Sequence, residues 1–296
     1  MFDVGIISDQ VSMIFEEALG HIAKWGIKYV ELHALWNKNI EELDDVEVSR
    51  AKALLDKHRL KVSLISSTLF LLCPLDNNPM EFRRIDDYFI TIYGNYGEHL
   101  DALKRCIELC RMFGTDRIRT FGFLEEKPLQ PDMSVKMVTE KLLKPVEMVE
   151  KAGLTLLLEN CPHSYLPYGA LTKRVIEAIG SKSLKALWDP ANAFRAGGSP
   201  YPDDYREIKS HVVHVHAKDL APESGAAAGD GAAMRFVPLG RGVIGYGKIL
   251  KSFRGNGFSG VVSLEPEFVE EKGGRPEACR KSLEGIRAIV DAGENR

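Results

Sequence analysis

Val212-Val213-His214-Val215-His216-Ala217-Lys218-Asp219 is the stretch whose reading decides the fold. In an extended chain, side chains alternate between two faces. Val212, His214, His216 and Lys218 then share one face, and Val213, Val215 and Ala217 share the other. One face turns polar towards the end of the strand. Three further short apolar runs end in a carboxylate: Leu154-Thr155-Leu156-Leu157-Leu158-Glu159, Leu184-Lys185-Ala186-Leu187-Trp188-Asp189 and Val261-Val262-Ser263-Leu264-Glu265. Runs of this length, bounded by Gly, Pro and Asn, read as strands buried on both faces, as in a parallel sheet. Four strands ending in Glu, Asp, His and Glu predict a site at one end of that sheet.

Working outward, the remaining pattern alternates strand and helix. Phe2 to Ile7, Lys28 to His33, Leu60 to Ser66 and Arg117 to Phe121 read as strands one to four. Helices are expected over Ser12 to Trp25, Val46 to His58, His99 to Phe113, Ser134 to Ala152, Leu171 to Ile179, Asp203 to Lys209, Tyr246 to Phe253 and Pro276 to Val290. Eight alternating pairs in 296 residues fit an α/β fold of the (β/α)8 TIM-barrel type, for which roughly 250 residues are typical. The expectation is one such domain over residues 1–296. A doubly wound open sheet is the runner-up. It usually carries a Gly-rich phosphate turn after an early strand, which is missing after Ile7 and His33, and no Walker-type loop is present.

Two stretches interrupt the pattern. Ser67 to Glu98 is a long irregular connection rich in aromatics, read either as a lid, as a helix packed over a barrel edge, or as an interface. Gly225 to Ala233 is a small-residue loop too poor in apolar bulk to pack firmly, and is expected to be mobile.

With 45% hydrophobic residues the chain can bury a sizeable core. A formal net charge of -3, from 39 basic and 42 acidic residues well interspersed, offers no basic stripe for nucleic acid. The N-terminal residues lack a basic segment followed by an apolar run, and no stretch approaches the roughly 20 apolar residues of a membrane span, so a cytoplasmic location without a membrane partner is expected. Five cysteines without paired spacing read as reduced thiols. Cys161, next to the predicted site in sequence, reads as a small apolar filler rather than a nucleophile.

At the carboxyl ends of barrel strands, Glu159, Asp189, His216 and Glu265 would converge on one mouth, where such barrels place their active sites. Three carboxylates and one imidazole form an oxygen-rich set suited to Mn²⁺, and also to Mg²⁺, Co²⁺ or Zn²⁺. A metal-free polar network of the same four residues is the alternative, although burying three acids without a cation is costly. By strand parity Lys218 points inward, Arg195 approaches from the strand-six loop, and His214 lies behind the ligands or against the substrate. Glu31 and His33 either line the mouth or belong to the strand-two loop. Trp36 and Phe70 either wall the substrate or pack in the core. Glu267 shares the parity of Glu265 across Pro266, and is an alternative functional acid.

Leu158-Glu159-Asn160, Trp188-Asp189-Pro190-Ala191-Asn192, His214-Val215-His216-Ala217-Lys218-Asp219 and Leu264-Glu265 resemble the last four strand ends of the xylose-isomerase-like sugar isomerase/epimerase superfamily. Pro238-Leu239-Gly240-Arg241-Gly242 is similar to the Gly-x-Gly turn before its last helix and strand. The resemblance covers nearly the whole chain in strand order. It implies one divalent metal held by Glu159, Asp189, His216 and Glu265, with Glu159 and Glu265 doubling as acid and base on opposite sides of a bound sugar, sugar phosphate or keto acid. It further implies a homodimer or homotetramer. His214, Asn192, Lys218, Arg195, Glu31 and His33 are the candidate substrate contacts by their own position and parity, not by the resemblance.

The chain departs from the ketose epimerases of that family. They carry a His three residues after the strand-six Asp, where Asn192 stands here, and an Arg a few residues beyond the strand-seven His, where Lys218-Asp219-Leu220-Ala221-Pro222 runs here. Isomerase, epimerase and a dehydratase of the inosose or dehydroshikimate type therefore stay open. A sugar-binding barrel without turnover is the non-enzymatic alternative. The apurinic-site endonucleases of the superfamily need extra His ligands where this chain has Ser66, Ser67, Thr120 and Asn192.

Overall fold

The computed structural model describes residues 2–75, 89–223 and 233–294. Eight strands, numbered in chain order, form a closed parallel barrel: β1 (Asp3–Ile7), β2 (Tyr29–Leu32), β3 (Lys61–Leu69), β4 (Arg117–Phe121), β5 (Thr155–Glu159), β6 (Leu184–Trp188), β7 (Val212–Ala217) and β8 (Val261–Leu264). Each strand pairs with its sequence neighbours, and β8 closes on β1 through Asp3↔Val261 to Ile6↔Leu264. The parallel arrangement explains the unbroken apolar runs. Leu156 and Leu158 face the helices from one side of β5, while Leu157 joins Leu64 and Leu187 in a separate buried cluster.

Most helices fall where the 3.6-residue pattern placed them, with ends set by capping; the helix expected over Ser12 to Trp25 begins only at Phe15 and follows a separate short helix, Ser8–Val11. The helix Tyr96–Phe113 begins three residues earlier than the apolar pattern suggests, because Asn95 caps it and Glu98 returns to the Asn95 N–H at 2.7 Å. The helix Gly169–Ile179 likewise starts early. The Asp204 carboxylate reaches over to accept the N–H groups of Gly169 (3.1 Å) and Ala170 (3.0 Å), while also accepting the Trp188 indole N–H (2.8 Å).

A helix and two hairpins near the site were not foreseen. The helix Pro190–Arg195 follows β6 directly: Asp189 is its N-cap, accepting the Asn192 N–H at 2.9 Å, and Pro190 fills its first turn. A short hairpin pairs Ala34–Leu35 with Lys38–Asn39, and another pairs Asp219–Pro222 with Met234–Val237. The Asp219 carboxylate holds the second hairpin to the following turn by accepting the N–H groups of Leu220, Gly240, Gly242 and Ile244 at 2.9–3.2 Å. Only glycine fits at 242, where a Cβ would lie 2.2 Å from Asp219 Oδ1. The small-residue loop lies outside the described residues except for Ala233. So does the middle of the Ser67 to Glu98 connection, at residues 76–88. The described flanks of that connection are packed: Phe70, Leu71, Leu72, Cys73 and Leu75 are buried. Among the described residues no helix is long and apolar enough to cross a membrane.

Phe70 has a left-handed backbone (φ 64°), and its N–H is accepted by Nδ1 of buried His99 at 3.0 Å. Burial pushes the His99 imidazole down to about 4. Above pH 6.5 both folded and unfolded states are neutral there. Between pH 6.5 and about 4 only the unfolded chain takes up the proton, so stability falls with pH through that window and levels off below it. The expected loss is on the order of 3 kcal/mol. His99→Gln keeps an acceptor but cannot titrate, so urea midpoints measured from pH 7 to 4 should fall less steeply for the variant. Parallel slopes would refute this role.

Candidate functional site

The carboxyl ends of β5 to β8 bring together the four residues expected from sequence. Glu159, Asp189, His216 and Glu265 each offer a donor atom within 4.8 Å of the others, and all four are buried. His216 Nδ1 lies 3.4 Å from Glu159 Oε1 and 3.5 Å from Glu265 Oε2. Its Nε2 lies 3.0 Å from Glu31 Oε2, while His214 Nε2 lies 2.6 Å from Glu31 Oε1. Burial alone would raise the Glu31 carboxyl, but His216 and then His214 hold it well below the usual range. An ionised carboxylate only accepts, so His216 Nε2 carries a proton and Nδ1 faces Glu159 and Glu265. Glu31 thus orients the imidazole from behind, as carboxylates do for metal-bound histidines.

Glu31, His214 and His216 also bring one potential ligand atom each within 4.8 Å of one another. Glu31 spends both oxygens on the two imidazoles, however, and the trio reads as a hydrogen-bonded support.

Charge is the governing feature. Five carboxylates (Glu31, Glu159, Asp189, Glu265 and Glu267) face two cations, Arg119 and Lys218. Burial, together with the Glu265 and Glu159 charges, pushes Asp189 up to about 6 in spite of Lys218. Burial also opposes charge on His216, but Glu31, Glu265 and Glu159 outweigh it and raise the imidazole well above its usual value. Both shifts record the same need for positive charge. His216 Nδ1 and Asp189 Oδ2 are buried without a hydrogen-bond partner; Asp189 Oδ2 is 3.0 Å from Lys218 Nζ but not aligned for a hydrogen bond. Two unsatisfied donor atoms within a set of three carboxylates and one imidazole fit a divalent cation.

A cavity of about 250 Å³ opens over this cluster. Glu159, Glu265, Asn192, Lys218 and Arg195 line it, as expected for the acid/base and substrate-facing groups. Asn192 Nδ2 donates to Glu159 Oε1 (3.3 Å), and Arg195 lies over the Phe236 ring (5.6 Å). Glu31, His33 and His214 were expected against substrate, but the structure places all three outside the cavity wall. Glu31 and His214 are consumed by the His216 support. His33 is held between Asp9 Oδ2 and the Ile90 carbonyl, both at 2.9 Å, and stacks on Phe89, which does line the cavity. Phe70 packs against Phe123 and Tyr96, and Trp36 against Phe15; neither lines the cavity. Cys161 lines the cavity, but burial pushes its thiol up to about 12, which suits an inert filler.

Arg119 was missed. Fully buried, it donates to the carbonyls of Ser66 (2.7 Å) and Ser67 (2.9 Å) and to Glu159 Oε2 (3.3 Å). The available signal was an arginine in the middle of a strand that must be buried on both faces. Glu267 also lines the cavity, bound to Lys218 Nζ at 2.7 Å.

The sequence profile of the xylose isomerase-like TIM barrel family matches residues 19–289. A 149-residue stretch, 49% of this chain, is 26% identical to an uncharacterized protein of Methanocaldococcus jannaschii, so the match spans about half (48%) of that relative's length. Among solved structures, the IOLI protein with a bound zinc atom superposes with TM-score 0.73 at 18% identity, covering 98% of this chain and 99% of that one. The probable 3-DHS dehydratase AsbF of Bacillus anthracis superposes with TM-score 0.68 at 16% identity, covering 97% and 99%. At these identities the likeness is one of fold.

Glu31→Gln should weaken Mn²⁺ binding about 10- to 100-fold, because the imidazole loses its fixed orientation, while far-UV circular dichroism stays that of the parent. Unchanged affinity by calorimetric titration would exclude the supporting role.

Proposed function

We propose, from the premise that this chain belongs to the xylose isomerase-like TIM barrel family, that it is a divalent-metal-dependent isomerase or epimerase of a small sugar, sugar phosphate or keto acid. The observation that carries this reading is the placement of Glu159 and Glu265. They come from different strands, each about 3.5 Å from the same imidazole nitrogen, and both line one cavity.

Glu159, Asp189, His216 and Glu265 would hold the ion, with Mn²⁺ the first candidate. When bound, it supplies Lewis-acid stabilisation of the negative charge that develops on a substrate carbonyl oxygen as the adjacent carbon loses its proton. Glu159 is fixed by Arg119 at Oε2 and Asn192 at Oε1, and Glu265 is held at Oε2 by Lys218 until a bound ion would take that place. Neither carboxylate swings freely, so each presents its oxygens at a defined side of the bound carbon chain. One glutamate removes the proton and the other returns one. Return to the same carbon from the opposite face epimerises, and return to the neighbouring carbon isomerises. Phe89, Phe121 and Phe236 line the wall and keep water from the reacting carbons.

The test is proton exchange. Mn²⁺-loaded protein in heavy water should introduce deuterium next to the carbonyl of at least one member of a panel of ketoses, ketose phosphates and hydroxy keto acids. Glu159→Gln and Glu265→Gln should each slow that exchange by about 10²- to 10⁴-fold. Exchange unaffected by both variants would remove the acid/base assignment. A product lighter by one water, in place of a deuterated isomer, would make the protein a lyase.

A further inference from the structure

Lys218 is the one ammonium among the described residues that reaches into the carboxylate cluster, and its position is over-determined. Its Nζ lies 2.7 Å from Glu265 Oε2, 3.0 Å from Asp189 Oδ2 and 2.7 Å from Glu267 Oε1, with the side chain 3% exposed. Its backbone is pinned as well. The Lys218 N–H donates to the Tyr246 hydroxyl (3.1 Å), which donates to the Lys218 carbonyl (3.0 Å), and Asp219 is locked by its four amides. Only the four-carbon stem is left to move.

Two of these three partners belong to the donor set. Asp189 Oδ1 is occupied by the Asn192 N–H, so Oδ2, the oxygen facing Lys218, is the one left for a metal. The third partner does not belong to it. Glu267 lies two residues beyond Glu265, lines the cavity and has a side chain 26% exposed. Its backbone is fixed by donation from its N–H to Gln10 Oε1 at 3.1 Å.

We infer that Lys218 is the resident counter-cation of this cluster, and that a divalent ion entering it takes over Asp189 and Glu265, leaving the ammonium on Glu267 at the cavity. The inference rests on the metal-dependent reading above. A divalent ion and an ammonium competing for the same buried carboxylates repel strongly, because the surroundings screen them poorly. Lys218 therefore sets the metal affinity. It keeps the acids neutralised before the metal arrives and is then delivered, by the metal, as a positive group facing the substrate. Metal loading and recognition of an electron-rich substrate oxygen are coupled through one side chain.

The test is Mn²⁺ affinity by calorimetric titration on the full chain stripped of metal. Lys218→Met keeps the stem and removes the charge, and should bind Mn²⁺ at least tenfold more tightly than the parent. It should also melt lower than the parent without metal and gain more on saturation with Mn²⁺. Glu267→Gln removes the resting place for the displaced ammonium and should weaken Mn²⁺ binding severalfold. That effect should vanish in the Lys218→Met background, whereas a direct pull of Glu267 on the metal would persist there. Equal or weaker Mn²⁺ binding by Lys218→Met overturns the inference while leaving the metal reading intact. Failure of both parent and variant to bind Mn²⁺ overturns the two together. Should Lys218→Met not fold, Lys218→Gln takes its place in both comparisons, and unchanged Mn²⁺ affinity of Glu267→Gln by itself contradicts the displacement.

Discussion

Buried negative charge at the carboxyl end of the barrel is the constraint on which the rest of the structure depends. Parallel strand ends place Glu159, Asp189, Glu265 and the Glu31 carboxylate where water cannot solvate them, and isolated buried carboxylates cost several kcal/mol each. The structure meets that cost with a graded set of basic groups. Arg119 is immobilised by two carbonyls and touches one acid. His216 is held by Glu31 and faces two. Lys218 hangs on a flexible stem and touches three. The fixed cation orients a glutamate, the orientable imidazole presents a lone pair or a proton, and the flexible ammonium can yield.

The supporting elements serve that arrangement. Asp219 and Tyr246 exist, in structural terms, to fix the backbone from which Lys218 projects. The helix Pro190–Arg195 begins on Asp189, so the cap that starts the helix also fixes one oxygen of the acid and frees the other. It carries Asn192 onto Glu159 and Arg195 to the cavity wall. Further out, Asp9 and His33 hold the backbone at Ile90 and so place Phe89. Each layer constrains the one inside it.

The barrel and the four convergent residues were legible in the sequence because each rests on local pattern: an apolar run of strand length, its parity and the polar residue that ends it. What was not legible depends on encounters across the chain. Glu31 and His214 are 183 residues apart, and nothing in either strand shows that they hydrogen-bond each other and so turn away from substrate. Arg119 was hidden in the same way, since its partners at Ser66, Ser67 and Glu159 are supplied by the strands on either side. The helix after β6 was readable from Asp189-Pro190, a capping residue before a first-turn proline, but it is shorter than the window in which helical periodicity shows. The start of the helix Tyr96–Phe113 was missed for a related reason: the capping box Asn95 to Glu98 precedes the first apolar residue that periodicity can count.

The central claim, that Glu159, Asp189, His216 and Glu265 form one divalent-metal site, is tested most directly by metal content. The measurement is elemental mass spectrometry on protein purified without chelator, then incubated with Mn²⁺ and desalted, beside Glu159→Ala and Asp189→Ala. The account predicts about one metal per chain in the parent and close to none in either variant. A parent that retains no metal, or variants that retain it in full, would contradict it.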